Sequence, residues 1–182
     1  LKGRVVTRLE YKDVNMTPDI DLSQVSLADT TFYKTQKRIA LRNCGVIDPE
    51  QIDEYIAMDG YRALGKCLTE MTPQQVIDVV LDSGLRGRGG AGFPTYRKME
   101  FTAHASDPTR YIVCNADEGE PGTNKDRILL STDPCAVFEG MAIAGKAVGA
   151  HTGYIYLRAE YTYLFPVLKD ALEDAEKRGF LG

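Results

Sequence analysis

Short apolar runs alternate along the chain with segments whose apolar residues recur every three or four positions. Tyr111–Cys114 and Gly153–Leu157 have the length and composition of buried strands, and Arg38–Asn43 predicts a further short strand. A last amphipathic helix is predicted from Leu164, Val167, Leu168, Ala171, Leu172 and Ala175, with Gly179 ending it. This alternation predicts an α/β sandwich with a mainly parallel sheet.

Three helix starts are marked by a capping residue followed by proline. In the clearest, Thr72 is expected to cap the helix, Pro73 to occupy its first position and Gln75 to reach back as in a capping box. Asp48 and Asp133, each followed by proline, predict two further starts. The chain is therefore expected to place a helix after each of these positions.

The apolar spacing predicts which faces of these helices are buried. The predicted buried positions are Val76, Ile77, Val79, Val80 and Leu81 after Thr72, and Val137, Met141, Ala144 and Val148 after Asp133. Gly84 suits the end of the first helix, and Thr95–Ala105 is predicted to be helical. Residues 1–35 are expected to form an irregular arm or linker, and residues 36–182 a single domain.

Composition excludes several classes of protein. The 182 residues are 43% hydrophobic and 26% charged, which suits a globular domain with a core of its own. A net charge of −4 argues against a general nucleic-acid binder, and no run of about 20 apolar residues predicts a membrane span. We therefore expect a cytoplasmic protein, and the leucine at position 1 predicts a piece of a longer chain.

The four cysteines do not favour a metal site. None of them forms a Cys-x-x-Cys pair, and only two histidines could join them as ligands. We expect reduced thiols and no metal ligands in these residues.

A glycine-rich loop is expected over Leu85–Thr95. Four glycines lie within Gly87–Gly92 and satisfy the Gly-x-Gly-x-x-Gly pattern of dinucleotide-binding folds. That pattern normally follows a strand, whereas here a capped helix precedes it, so an ordinary Rossmann site does not fit. Such a backbone can still approach a phosphate or a flat ring closely. The alternatives are a flexible surface loop and an arginine-glycine segment that contacts RNA.

A second, acidic loop follows the first predicted strand. Its potential ligand side chains are Asn115, Asp117, Glu118 and Glu120. They lie at the carboxyl end of a strand, where open α/β sheets bind ligands. Three interpretations stay open from these residues alone: a site for ligand hydroxyl or carboxamide groups, a solvated acidic turn, or a Mg²⁺ or Ca²⁺ site without EF-hand spacing.

Together the two loops resemble the signatures of the NADH-binding flavoprotein subunit of respiratory complex I, a family that includes the flavin subunits of NAD(P)-linked hydrogenases and formate dehydrogenases. The matching stretches are Leu85–Thr95, Cys114–Thr123, Lys125–Arg127 and Tyr154–Tyr161. Arg42–Glu50 and Tyr55–Tyr61 are more similar to the hydrogenase flavin (beta) subunit. The resemblance covers the N-terminal part of the family's FMN/NADH-binding domain, over residues 36–182.

The resemblance implies a Rossmann-like domain, incomplete at its C-terminal end, that binds FMN and NAD(H). Matched residue by residue, the flavin-contacting positions are Gly87, Gly89, Lys98, Asn115, Asp117 and Glu118. The rest of the glycine-rich loop is Arg88, Gly90 and Gly92, and the nicotinamide nucleotide is expected at Phe93, Phe101 and Glu120. Tyr96 and Met99 depart from the family, which commonly has Gly and Trp there, so a bulky side chain is expected close to the loop.

The function implied is hydride transfer between NADH and FMN, with no side chain acting as acid or base. Electrons would pass to iron–sulfur subunits of a hydrogenase, formate dehydrogenase or complex I-like assembly. A four-iron (4Fe-4S) cluster is expected only in the missing C-terminal part. The alternative is a flavin-free, non-catalytic fragment or structural subunit of the same complex.

Overall fold

The structure, a computed structural model, describes residues 30–181. Its helices are α1 (Thr31–Lys34), α2 (Ile52–Ala57), α3 (Arg62–Thr69), α4 (Pro73–Asp82), α5 (Thr95–Ala103), α6 (Lys125–Thr132), α7 (Pro134–Val148) and α8 (Phe165–Lys177). Its strands are β1 (Tyr111–Ala116) and β2 (Thr152–Leu157), and a 3₁₀ helix, Ala159–Leu164, precedes α8. Most of the arm expected over residues 1–35 lies outside the described residues, and α1 occupies part of the remainder.

The two strands form a parallel pair. Tyr111 lies opposite Thr152, and the register continues without a break to Ala116 opposite Leu157. Helices α6 and α7 lie between the strands in sequence, because parallel neighbours need a long crossover connection. The strands predicted at Tyr111–Cys114 and Gly153–Leu157 and the predicted parallel sheet are therefore confirmed.

One face of this sheet packs on α7 and the other faces solvent. On the inner face Ile112 and Ile155 are half-buried, and Gly153 approaches α7 so closely that a Cβ there would lie 3.1 Å from Met141 Cε. The outer face exposes Tyr111, Val113, Tyr154 and Tyr156. The sheet is thus covered on one side only within residues 30–181.

Helix α7 lies at the centre of the described residues. Cys135, Phe138, Ala147 and Val148 are all buried along its length. The predicted buried face is wrong, because of its four positions only Val148 is buried and the other three are half-buried. Neighbouring elements pack around several sides of α7, so its burial does not follow a single stripe.

Helix α4 begins as the sequence predicts. The Gln75 N–H donates to Thr72 Oγ1 at 3.3 Å, and the Thr72 N–H donates to Gln75 Oε1 at 2.8 Å, which completes the capping box. Its buried face is narrower than predicted, because only Val76 and Ile77 are buried. Val79 and Leu81 are exposed, since each lies about 100° around the helix from the centre of that stripe.

The segment before α2 differs from the prediction. Arg38–Asn43 is not a strand: the N–H groups of Arg42 and Cys44 bond to carbonyls three residues earlier, as in consecutive turns. Helix α2 begins at Ile52 rather than at the predicted proline. Asp48 Oδ1 instead accepts a hydrogen bond from the Glu50 N–H in a local turn.

Helices α3 and α6 were not predicted from the pattern. Each has only eight residues, and neither has a capping hydrogen bond from the side chain of its own N-cap residue. Helix α1 was not predicted either. Helices α5 and α8 follow the prediction more closely: α5 ends at Ala103 instead of Ala105, and α8 buries Leu168, Ala171 and Ala175 but exposes Leu172.

Candidate functional site

The glycine-rich loop is a short hairpin between α4 and α5. Its two sides are joined by a hydrogen bond from the Gly87 N–H to the Phe93 carbonyl oxygen at 2.8 Å, and a second backbone bond closes the base one step further out. Arg86 Nη1 donates to the Gly92 carbonyl oxygen at 3.1 Å, which holds the tip against the base. The base of the loop therefore has a defined shape.

The tip of this hairpin presents backbone N–H groups that the protein does not use. Within residues 30–181, the N–H groups of residues 88–93 donate to no protein acceptor. Gly90 and Gly92 have φ of +106° and +62°, in the region that favours glycine. A Cβ at Gly89 would have no neighbour within 4 Å. The tip is open backbone, and it fits an approaching phosphate group or flat ring.

Three predicted ligand contacts extend from the loop onto one face of α5. Phe93 is 39% exposed and Phe101 is 64% exposed. Lys98 Nζ lies 6.0 Å from the centre of the Phe93 ring, and Phe101 follows Lys98 by one helical turn. This face therefore offers two aromatic rings and a positive charge to the solvent.

The two departures from the family pattern lie on the opposite face of α5. Tyr96 and Met99 pack, with Ala103, against the buried cluster that contains Ile77 and Ala147. The bulky Tyr96 side chain is therefore directed to the core side of α5 and leaves the face that carries Lys98 open.

The acidic loop after β1 alternates between exposed and buried residues. Asn115, Asp117 and Glu120 are exposed, whereas Ala116 and Glu118 are buried. Asn115 Oδ1 accepts a hydrogen bond from the Asp117 N–H at 3.0 Å, which fixes the turn as the chain leaves the sheet. Three of the four predicted side chains are thus exposed to an approaching ligand.

Glu118 differs from its neighbours because its carboxylate is already bonded within the protein. Its side chain accepts hydrogen bonds from the Asp126 N–H (2.8 Å), the Arg127 N–H (3.3 Å) and the Tyr161 hydroxyl (3.0 Å). Burial by itself would raise the pKa of Glu118, but these three donors outweigh it and hold the pKa below its ordinary value. Glu118 therefore stays ionised at neutral pH.

The elements that carry the two loops, α5 and β1, are joined by hydrogen bonds, but the loops themselves are not. Arg110, just before β1, donates to the carbonyls of Thr102, Ala103 and Ala105 at the end of α5, so β1 starts beside that end of the helix. Among residues 30–181, no hydrogen bond joins a residue of the glycine-rich loop to a residue of the acidic loop.

Two residues of this region had no role assigned from the sequence. Arg158 Nη1 donates to the Glu118 carbonyl oxygen, and the Tyr161 hydroxyl donates to the Glu118 carboxylate. Both lie in the Tyr154–Tyr161 stretch, which carried part of the resemblance. The pattern marked the stretch but not the contact, because the partner lies some forty residues earlier.

Residues 80–180 match the family described as the Nuo51 FMN-binding domain. The chain belongs to this family. The resemblance identified from the two loops is thereby confirmed.

Relatives of this FMN-binding-domain chain come from both branches of the family. The NADP-reducing hydrogenase subunit HndC of Solidesulfovibrio fructosivorans is 54% identical over 156 residues, which cover 86% of this chain and 31% of the relative. The F subunit of the NADH-quinone oxidoreductase of Aquifex aeolicus is 53% identical over 151 residues, which cover 83% of this chain and 35% of the relative. The chain spans about a third of the length of these curated relatives.

A solved structure supports the fold. The crystal structure of an NAD⁺-reducing [NiFe]-hydrogenase in the air-oxidised state has a chain that is 41% identical, with a TM-score of 0.62. The match covers 78% of this FMN-binding-domain chain and 23% of that chain. Sequence and structure therefore agree on the family's α/β fold.

Two further features of residues 30–181 bear on the class of protein. In that range no single helix is long and apolar enough to cross a membrane. Helices α6 and α7 taken together have the length and composition of a membrane span, but they are bent by 99° relative to each other. The same residues contain no group of three or more His, Cys, Asp or Glu side chains placed to hold a metal ion.

Proposed function

We propose that this chain is part of a flavoprotein module that oxidises NADH and delivers electrons to iron–sulfur centres. The observation that carries the proposal is the open tip of the glycine-rich loop, with its unused N–H groups, in a chain that belongs to the FMN-binding-domain family. The names of its relatives, an NADH-quinone oxidoreductase subunit and a NADP-reducing hydrogenase subunit, support nicotinamide-linked electron transfer. Residues 36–182 would supply the N-terminal portion of the FMN/NADH-binding domain.

The residues present fit FMN. The N–H groups of residues 88–93 donate to no protein acceptor and can donate to an anion or to ring oxygens. Lys98 on α5 and Arg88 at the tip of the loop, both exposed, add the positive charge that a phosphate requires. Asn115 and Asp117 offer acceptors for hydroxyl groups. When bound, FMN would supply hydride acceptance and one-electron release, which no side chain of these residues can provide.

The exposed aromatic rings suit the nicotinamide nucleotide. Phe93 and Phe101 expose faces on which adenine or nicotinamide can stack. In the free protein these rings expose apolar surface to water, which is unfavourable, and a stacked ligand would cover that surface. The protein's task in this proposal is to hold the two ring systems in contact and to exclude water between them.

Glycine at position 89 allows a direct test of the proposed FMN site. Because a Cβ there would meet no protein atom and its φ is not in the left-handed region, Gly89→Ala should leave the fold intact. If FMN approaches this backbone, the same methyl group should weaken FMN binding at least tenfold, measured by flavin fluorescence titration of the complete protein.

The matched control for Gly89→Ala is Gly65→Ala on α3, where a Cβ also has open space. The control should leave the FMN dissociation constant unchanged. Equal affinities for the wild-type protein and Gly89→Ala would argue against a flavin at this loop. A purified complete protein without flavin absorbance would favour the flavin-free alternative.

The acidic loop predicts a preference for NADH over NADPH. The exposed carboxylates of Asp117 and Glu120 would repel a 2′-phosphate, whereas the Glu118 carboxylate is occupied within the protein. In the complete enzyme, Glu120→Gln should narrow the ratio of kcat/KM for NADH to that for NADPH about tenfold. Asp53→Asn, which changes an exposed carboxylate on α2, is the charge-matched control. An unchanged ratio in Glu120→Gln would refute the electrostatic explanation.

The same family also bears on the partners and the location that we propose. We propose that the complete protein assembles with iron–sulfur subunits of a hydrogenase, formate dehydrogenase or complex I-like complex, and that it works in the cytoplasm or on the cytoplasmic side of a membrane complex. The proposal is supported by the names of two relatives, which describe one as a subunit of a hydrogenase and the other as a subunit of an NADH-quinone oxidoreductase.

A further inference from the structure

Glu118, Arg158 and Tyr161 form a set of contacts that we name the loop latch. The latch joins the acidic loop to the 3₁₀ helix that follows β2 and to the first turn of α6. Its central residue, Glu118, is only 4% exposed, although both of its neighbours in sequence are exposed. A buried carboxylate in the middle of an otherwise solvated loop requires compensating donors.

The side chain of Glu118 is held from two directions. On one side the first N–H groups of α6, those of Asp126 and Arg127, donate to the two carboxylate oxygens. These groups have no partner within the helix, so the carboxylate satisfies them from outside and interacts favourably with the helix dipole. On the other side the Tyr161 hydroxyl donates to Oε2 at 3.0 Å.

The backbone of Glu118 is held separately by Arg158. Arg158 Nη1 donates to the Glu118 carbonyl oxygen, while Nε and Nη2 bind the Glu160 carboxylate at 2.8 and 2.9 Å. The Glu160 contact fixes the guanidinium. The backbone N–H of Arg158 also donates to the Ala116 carbonyl oxygen at the end of β1. Both the main chain and the side chain of one loop residue are therefore fixed by residues about forty positions later.

We propose that Arg158 and Tyr161 are positioning residues that hold the acidic loop in one geometry through Glu118. With Glu118 fixed and directed inward, the exposed side chains of Asn115, Asp117 and Glu120 occupy defined places at the end of β1. The inference deepens the proposed function and rests on it, because it concerns the same ligand site. Neither residue touches the ligand in this proposal.

Hydrogen exchange tests the latch without any cofactor. In the complete, flavin-free protein, Tyr161→Phe should speed amide exchange in residues 115–123 about tenfold. The variant removes the Tyr161 hydroxyl and leaves Arg158 as the one side chain of the latch that still bonds to Glu118. The matched control is Tyr163→Phe: Tyr163 is 57% exposed, lies against the Tyr161 ring at 6.2 Å, and has no hydrogen bond from its hydroxyl within residues 30–181. Unchanged exchange in Tyr161→Phe, or equal acceleration in both variants, would overturn the proposal.

Arg158 provides an independent arm of the same experiment. Arg158→Gln should accelerate exchange in the same segment, and Arg158→Lys should give an intermediate value, because an ammonium group cannot serve the Glu118 carbonyl and both Glu160 oxygens together. If Arg158→Gln does not fold, Arg158→Lys alone decides. Exchange that rises evenly over the whole protein in these variants would show a general structural role and overturn the proposal.

Steady-state kinetics then connect the latch to the site. In the holoenzyme, Tyr161→Phe should raise the KM for NADH three- to tenfold and leave kcat with an artificial one-electron acceptor within twofold, whereas Tyr163→Phe should change neither. An unchanged KM despite faster loop exchange would separate the loop from ligand binding and overturn the positioning role. A complete protein that binds neither FMN nor NADH would refute the proposed function, while the exchange experiment would still decide the latch.

Discussion

Glu139, like Glu118, has a buried carboxylate that accepts hydrogen bonds from backbone N–H groups of another element. It lies on α7, is 6% exposed, and accepts hydrogen bonds from the Tyr55 hydroxyl (2.5 Å) and from the N–H groups of Tyr61 (2.9 Å) and Leu64 (3.0 Å). Burial, together with this carboxylate, raises the pKa of Tyr55 above its ordinary value, so the hydroxyl remains a donor. Helix α3 therefore obtains its N-terminal cap from α7.

Glu139→Ala is expected to lower the free energy of unfolding of the complete protein by about 3 kcal/mol or more, because three buried donors lose their acceptor at once. Urea denaturation measures this change. The comparison variant, Glu173→Ala on α8, removes an exposed carboxylate whose ion pairs with Lys169 and Lys177 lie at the surface, and it should cost less than about 0.5 kcal/mol. Similar losses in the two variants would contradict the role of Glu139.

At the scale of single elements, α4 offers the simplest test of local sequence effects. Thr72→Ala removes the Oγ1 acceptor of the capping box and should destabilise the protein by about 1 kcal/mol. Thr69→Ala makes the same chemical change at an exposed threonine whose hydroxyl donates only to the Gly65 carbonyl of its own helix, and we expect a smaller effect. Thermal denaturation of both variants decides whether the cap is needed, and equal shifts would show that it is not.

The elements that could be predicted are those whose signals are local. The capping box before α4 and the apolar runs of β1 and β2 involve residues within a few positions of one another. The strand predicted over Arg38–Asn43 was wrong. Asn43 is fully buried and bonds to Asp133 ninety residues later, whereas Ile39 is exposed, so the contact that orders this segment is not a local one. Helix α3 was missed for a related reason, since its cap is on α7.

The same distinction applies to the candidate site. Glycine content and clustered carboxylates mark the two loops from the sequence, and the open tip of the glycine-rich loop agrees with that expectation. The sequence did not show which carboxylates of the acidic loop are exposed and which is buried. Glu118 resembles Glu120 in sequence, and only the donors that fold back from α6 and Tyr161 distinguish them.

At the scale of the whole molecule, α7 is the element on which the rest is arranged. It contacts α3, α4, α5, α6 and α8 and lies under both strands. Parallel sheets are usually covered on both faces, whereas the outer face here leaves Val113 and Tyr156 exposed. The described residues thus form a complete layer on one side of the sheet only.

The register of the sheet predicts an order of folding. Every strand pairing joins residues 41 positions apart, beginning with Tyr111 and Thr152, so closing the sheet requires a long loop to be ordered first. We expect pulse-labelling hydrogen exchange during refolding of the complete protein to show protection in α7 before protection in β1 and β2. Protection of the strand amides ahead of α7 would contradict this order.

The same separation has a consequence on the ribosome. At synthesis rates of about 5–20 residues per second, β1 leaves the ribosome roughly 2–8 s before its partner β2. During that interval the nascent strand has neither a neighbour for its backbone nor a covered outer face, and Tyr111 and Val113 are available to any apolar surface nearby. Co-translational chaperones that bind short apolar segments should therefore meet this chain most often while the α6–α7 crossover is leaving the ribosome.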